Sequence, residues 1–163
     1  MAANDYIFVT NWRVCGTVEE VYQVLIEGRQ YPRWWPEVYL EVTQTAPGGD
    51  HGLGKSAQLY TGGKLPYRLR WHSRVVETRY PNGYLLEATG DFIGRGEWTF
   101  EQQGPEVAIR FDWRLRAEKP LLRCLSFMMK PIFRANHRWA MARGEEGLRS
   151  ELARRRQVAN VAG

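Results

Sequence analysis

The feature that most constrains this chain is a change of period near Pro120. Before it, apolar residues recur at every second position in run after run; after it, they recur every three to four. The first run, Asp5 to Cys15, places Tyr6, Phe8, Thr10, Trp12 and Val14 on one face and Asn11 and Arg13 on the other, as a half-buried strand requires. From Val38 onward the signals are again nearly all strand. Val38 to Thr45 leads into the turn Pro47-Gly48-Gly49-Asp50. Ser56 to Thr61 follows, with Gly62-Gly63 read as a hairpin turn. Tyr67 to Tyr80 sets Tyr67, Leu69, Trp71, Ser73 and Val75 against Arg68, Arg70, His72 and Arg74, and Pro81-Asn82-Gly83 then turns the chain. Gly83 to Gly90, Gly94 to Gln103 and Val107 to Ala117 complete the series, the last with Val107, Ile109, Phe111, Trp113 and Leu115 inward. Consecutive strands joined by short turns pair antiparallel.

Helices are predicted in three places. Thr17-Val18-Glu19-Glu20 is a capping box, in which the Thr17 hydroxyl accepts from the Glu20 amide and the Glu20 carboxylate reaches back. Val18, Val21 and Leu25 give that helix an apolar face, with Gly28 as its left-handed stop. A short turn spans Tyr31 to Trp35, between Pro32 and Pro36. The long final helix is predicted to begin at Pro131, a residue suited to a first turn, with the apolar segment Leu121 to Met129 before it. Ile132, Phe133, Asn136, Trp139, Ala140, Arg143, Gly144 and Gly147 form its stripe, and Glu145–Arg149 and Glu151–Arg155 extend it to about Arg156, with Gln157 to Gly163 frayed. A large antiparallel sheet must cover its apolar face, and one long helix is the element available to do so. The expectation is an α+β fold in one domain over residues 1–163, with its ordered core over about 5–156. A curved sheet of about seven strands closes on the helix and leaves space at its centre.

Composition narrows the function classes. Aromatics reach 13%, including seven Trp, enough for a ring-filled core or a ring-lined cavity. The net charge of +5 comes from scattered residues, apart from Arg154-Arg155-Arg156, and no nucleic-acid motif accompanies it. Nucleic acid is therefore not an expected partner. The N-terminal residues carry no basic and apolar leader pattern, and no apolar run reaches the ~20 residues of a bilayer span. Stable membrane insertion is not expected, and a cytoplasmic location is. Cys15 and Cys124 are far apart and read as free thiols. His51, His72 and His137 share no metal-ligand spacing with a thiol or carboxylate, so neither metal nor cofactor is expected. Gly94-Arg95-Gly96 runs straight into strand at Glu97-Trp98-Thr99-Phe100, which excludes a phosphate loop and suggests a bend or bulge. No signal sets an oligomeric state.

Four stretches together resemble the START-like (SRPBCC) superfamily of polyketide cyclase/dehydrase and lipid-transport proteins. They are Thr17-Val18-Glu19-Glu20-Val21-Tyr22, Tyr31-Pro32-Arg33-Trp34-Trp35-Pro36, Gly90 through Phe100, and Asn136-His137-Arg138-Trp139. The resemblance covers roughly Asp5 to Arg156 and implies a helix-grip fold. It also implies a cavity between sheet and helix for an apolar small molecule such as a lipid, isoprenoid, quinone or polyketide, held by a carrier or sensor. Members of this superfamily also include aromatase/cyclases, so an enzyme using the same cavity is the alternative.

The candidate ligand-binding residues are Trp12, Tyr60, Trp71, Trp98, Trp113, Met128, Phe133 and Trp139 for the apolar wall, with Asn136 and Glu87 as polar anchors. Flat rings and thioethers suit a planar or isoprenoid ligand. Equally, the rings could fill the core and leave no cavity. Asn136 either meets a ligand or satisfies a backbone group, and Glu87 is an anchor only if it faces inward, since both faces of its strand carry apolar residues. His137 is either a modest acid or base or a structural residue. No catalytic residue is assigned.

Overall fold

Seven strands and three helices account for most of the chain in the computed structural model, which describes residues 5–163, the side chains of 121–127 apart. The strands are β1 (Asp5–Cys15), β2 (Tyr39–Ala46), β3 (Ser56–Thr61), β4 (Leu69–Arg79), β5 (Gly83–Gly90), β6 (Phe92–Gln103) and β7 (Glu106–Ala117). They form one antiparallel sheet in the order β1-β7-β6-β5-β4-β3-β2. The first strand joins the last, so β1 and β2, neighbours among the strands in sequence, end up at opposite edges of the sheet. Helices α1 (Val18–Ile26) and α2 (Tyr31–Trp34) lie between β1 and β2, and α3 (Pro120–Ala162) follows the sheet.

The capping box at Thr17 is complete: the Glu20 amide donates to Thr17 Oγ1 at 3.2 Å, and the Thr17 amide donates to Glu20 Oε1 at 2.9 Å. Several expectations are corrected. Gly28 does not stop α1 in a left-handed conformation; the chain continues at once into a 3-10 turn, Gly28–Gln30, and on into α2. Helix α3 begins at Pro120 rather than Pro131, with Lys119 extended before it, and Pro131 lies within the helix. Proline suits a first turn, whereas inside the helix Pro131 removes one backbone hydrogen bond and its ring crowds the carbonyl four residues back. Helix continues to Ala162, beyond the expected end near Arg156. The β3–β4 connection is longer than a two-glycine hairpin, running from Gly62 to Arg68.

Glycines in β6 mark close packing rather than a bulge, because β6 pairs with both neighbours in unbroken register. A Cβ on Gly96 would stand 2.8 Å from the Trp113 ring and 2.9 Å from the Phe111 ring, so the missing side chain is the room those rings occupy. Irregularities sit instead in β2 and in β4, between Val75 and Glu77.

Helix α3 lies against β1 and β7, with α1 and α2 packed beside its C-terminal half. There two glycines allow backbone-close approach. A Cβ on Gly147 would come within 2.1 Å of the Trp34 carbonyl oxygen, and one on Gly144 within 2.4 Å of the Trp35 ring. The Trp35 indole N–H donates to the Ala140 carbonyl at 2.9 Å, which locks α2 onto α3. Deeper still, Glu151 is 2% exposed and accepts from Arg33, Arg154 and Arg155. Burial alone would push its carboxyl up, but the hydrogen bonds from Arg154, Arg33 and Arg155 outweigh that and hold it down at about 2.

Candidate functional site: a ring-walled cavity

A cavity of about 230 Å³ lies between the inner face of the sheet and α3. Its existence follows from side-chain size along the strands. Gln44, Ala57 and Ser73 stand in register across β2, β3 and β4, and Ala88 continues the row on β5. Small side chains at Ala57 and Ser73 leave the middle of the floor low. Large rings stand around them: Trp71 on β4, Trp98 on β6, and Phe111 and Trp113 on β7. Trp98 stacks on Phe111 at 4.1 Å between centroids, and Phe111 on Trp113 at 5.4 Å, so the wall is itself a packed stack. The roof is the stripe Phe133, Asn136, His137, Ala140 and Met141 of α3, at helical spacing.

The polar groups of this cavity are mostly consumed internally. Trp71 donates its indole N–H to Thr61 Oγ1 at 3.1 Å. Tyr31 and Tyr84 both donate to the Leu25 carbonyl at the end of α1, Tyr84 at 2.9 Å. Lys55 and Arg29 share the carboxylate of Glu27, each at 3.0 Å. Asn136 Oδ1 accepts from the Lys64 amide at 2.9 Å and so ties the β3–β4 connection to α3. Of its two open readings, satisfaction of a backbone group is the one the geometry displays. His137 lies flat on Phe8, centroids 4.1 Å apart, and burial pushes its imidazole down to about 4, which keeps it neutral at pH 7.

Of the ten candidate residues, Trp71, Trp98, Trp113, Phe133 and Asn136 line the cavity; Trp12, Tyr60, Glu87, Met128 and Trp139 do not. Trp12 faces inward but is buried beyond the cavity's end, against Trp35 and Trp98 at 5.7 and 5.5 Å. Tyr60 falls on the outer face, because Leu59 and Thr61 take the inner one, and Arg70 stacks over its ring at 4.2 Å. Glu87 is exposed between Leu86 and Ala88, with Arg74 and Arg95 as its cross-strand neighbours. Met128 is 61% exposed, and Trp139 lies on the flank of α3 under the Lys64 ammonium. The inward stripe of α3 is turned by about one residue from the one the sequence suggested. That turn brings in His137 and Met141 and leaves Trp139 out.

Lining residues absent from the candidates include Phe8, Phe111, Tyr39, Gln44 and Ser73. Phe8, Phe111 and Ser73 stood on correctly read inward faces, so the alternation was signal enough. Gln44 had none, since an edge strand rich in Glu, Thr and Gln gives no contrast between faces. Among the described residues no three His, Cys, Asp or Glu side chains converge as a metal site, and no helix is long and apolar enough to cross a membrane. Cys15 is an exposed free thiol, while Cys124 lies outside the residues whose side chains are described.

A curved antiparallel sheet gripping one long helix, with a ring-walled cavity between them, defines a helix-grip protein of the START-like class. The chain belongs to the polyketide cyclase / dehydrase and lipid transport family, whose sequence profile matches residues 14–143. No curated protein sequence matches it. Its fold is similar to that of TTHA0849 from Thermus thermophilus, with a TM-score of 0.72 and 15% identity over 90% of this chain and 99% of that one. A START superfamily protein from Mycobacterium smegmatis superposes with a TM-score of 0.72 at 12% identity, covering 91% of this chain and 97% of that one. The Zhui aromatase/cyclase from Streptomyces sp. R1128 gives 0.70 at 15% identity, over 93% and 95% of the two chains. At these identities the likeness concerns the fold.

Proposed function

We propose that this protein binds an apolar, ring-containing small molecule in the cavity and acts as a carrier or sensor for it. The observation that supports this reading is a cavity walled by Trp71, Trp98, Phe111 and Trp113 whose polar groups mostly satisfy one another. Such a wall rewards removal of apolar surface from water, at roughly 25 cal/mol per Å² before ordering costs. The volume of about 230 Å³ is below the roughly 300–1,000 Å³ usual for drug-sized ligands, which favours a compact ligand. Native mass spectrometry of the purified protein, compared with the same sample after denaturing extraction, tests this. The expected result is an apolar molecule released on denaturation. Trp71→Ala is expected to weaken binding more than it changes the far-ultraviolet circular dichroism, and unchanged affinity in the folded variant would count against this cavity.

A second reading, an aromatase/cyclase-type enzyme, is favoured by His137, a neutral imidazole on the cavity wall. There it would move protons while the walls fold a reactive chain and exclude water. Turnover of a polyketide-like substrate, lost in His137→Phe, would establish it; binding without turnover in the wild type would leave the carrier reading.

A further inference from the structure

We infer that the ligand carries a hydroxyl group on its ring system, and that the hydroxyl is read by Gln44 and Ser73 at the β2–β4 end of the cavity. This rests on the cavity being a binding site, as proposed above. Gln44 and Ser73 face the cavity from β2 and β4 and are both in register with Ala57 on β3, so they flank a small side chain two strand spacings apart. That is about 10 Å between backbones, and long enough for a polar substituent to sit over Ala57 between them. Further along the same strands Val42, Leu59 and Trp71 form an apolar row, so the floor changes from dry to polar on passing to the Gln44–Ser73 row.

The decisive feature is the Gln44 amide. Its oxygen is buried without a hydrogen-bond partner among the described residues, and the half-buried Ser73 stands across Ala57 from it. The other polar side chains near this end are engaged: Ser56 donates to the Gly54 carbonyl at 3.1 Å, and Lys55 pairs with Glu27. Burying an amide oxygen without a partner is unfavourable, and supplying a donor recovers that loss. A ligand hydroxyl donates to Gln44 and can accept from Ser73 in return. A ketone or ether oxygen cannot donate, and a methyl group leaves the Gln44 oxygen unpaired. The site therefore selects for a phenol-like or secondary alcohol among otherwise similar apolar rings.

The test compares 2-naphthol with 2-methylnaphthalene, which differ by hydroxyl for methyl, using isothermal titration calorimetry on the full chain. The quantity read is the ratio of their dissociation constants in each protein, so that differences in water solubility cancel between variants. Gln44→Met, which keeps length and removes the amide, is expected to cut the wild-type preference for the naphthol about tenfold. Ser73→Ala is expected to cut it by a smaller factor of about three, and serves if Gln44→Met does not fold. In the ligand-free protein Gln44→Met is expected to leave Tm unchanged or raise it, because it removes an unpaired buried acceptor; a purely structural glutamine would lower it. Binding of both probes with the same ratio in wild type and both variants would overturn the inference and leave the cavity reading standing. Failure of both probes to bind the wild type would overturn the two together.

Discussion

The two ends of the inner face are built on opposite principles. Where α1 and α2 meet the C-terminal half of α3, glycines at 144 and 147 bring backbone and indole rings into contact, and Glu151 gathers three arginines. Beneath the N-terminal half of α3 the small residues lie on the strands instead, and the same kind of large ring stands around an empty centre. Small residues therefore have opposite consequences by location. On the helix they permit closer approach and fill space; at mid-sheet, beyond the helix's reach, they leave it open. The packed end holds the grip, while the other end keeps a cavity under the helix.

Substitutions that add volume separate the two ends most sharply. Gly147→Ala is expected to cost about 3 kcal/mol, since its Cβ would meet the Trp34 carbonyl oxygen and backbone must move; the better helix propensity of alanine, about 1 kcal/mol, does not offset that. Chemical denaturation measures it, and a variant as stable as wild type would mean the packed end is looser than described. Next in size is Glu151→Gln, expected to cost about 2 kcal/mol. The figure is below that for a fully buried pair because its arginine partners are partly exposed. The sign with pH follows from the depressed carboxyl. Its stabilisation is present above the ordinary value near 4.5 and is lost as pH falls toward 2, so Glu151→Gln removes that part of the acid sensitivity.

At the hollow end His137 gives a smaller effect in a different window. Its imidazole is lowered from 6.5 to about 4 by burial, so the unfolded chain binds the proton more readily between those values. Stability is full above about 6.5 and declines as pH falls toward 4. His137→Phe, stacked on Phe8 in the same way, is expected to flatten that limb in thermal melts across this range; an unchanged limb would place the histidine in water. The smallest change expected is Ala57→Val, within about 1 kcal/mol of wild type because the added methyls enter open space, yet it should weaken ligand binding over the low floor between Gln44 and Ser73. A large loss of stability there would show the hollow end to be filled.

Much of the fold is legible in the sequence, but the contrast between its two ends is not. Alternation placed the strands and most inward faces, because a half-buried sheet forces period two on any sequence that forms it. The Thr17 box marked α1 through its own hydrogen bonds. Start signals were less decisive for α3: Pro120 and Pro131 suit a first turn equally, and only the packing of the helix on the sheet distinguishes them. The sequence places the inward face of α3 one residue off because Trp139 weighs heavily as an apolar residue, whereas its ring lies under Lys64 on the flank. Glu87 and Tyr60 turned outward for a reason visible only in register, the inward placing of their neighbours. Gln44 was not recoverable, because polarity on an edge strand carries no direction.

The most direct measurement is a crystal structure of the protein grown with saturating 2-naphthol. Density for the two rings between Trp71, Trp113 and Phe133, with the hydroxyl toward Gln44, is the expected result. Side chains of the hollow end closed over one another, with no ligand density between sheet and α3, would contradict it.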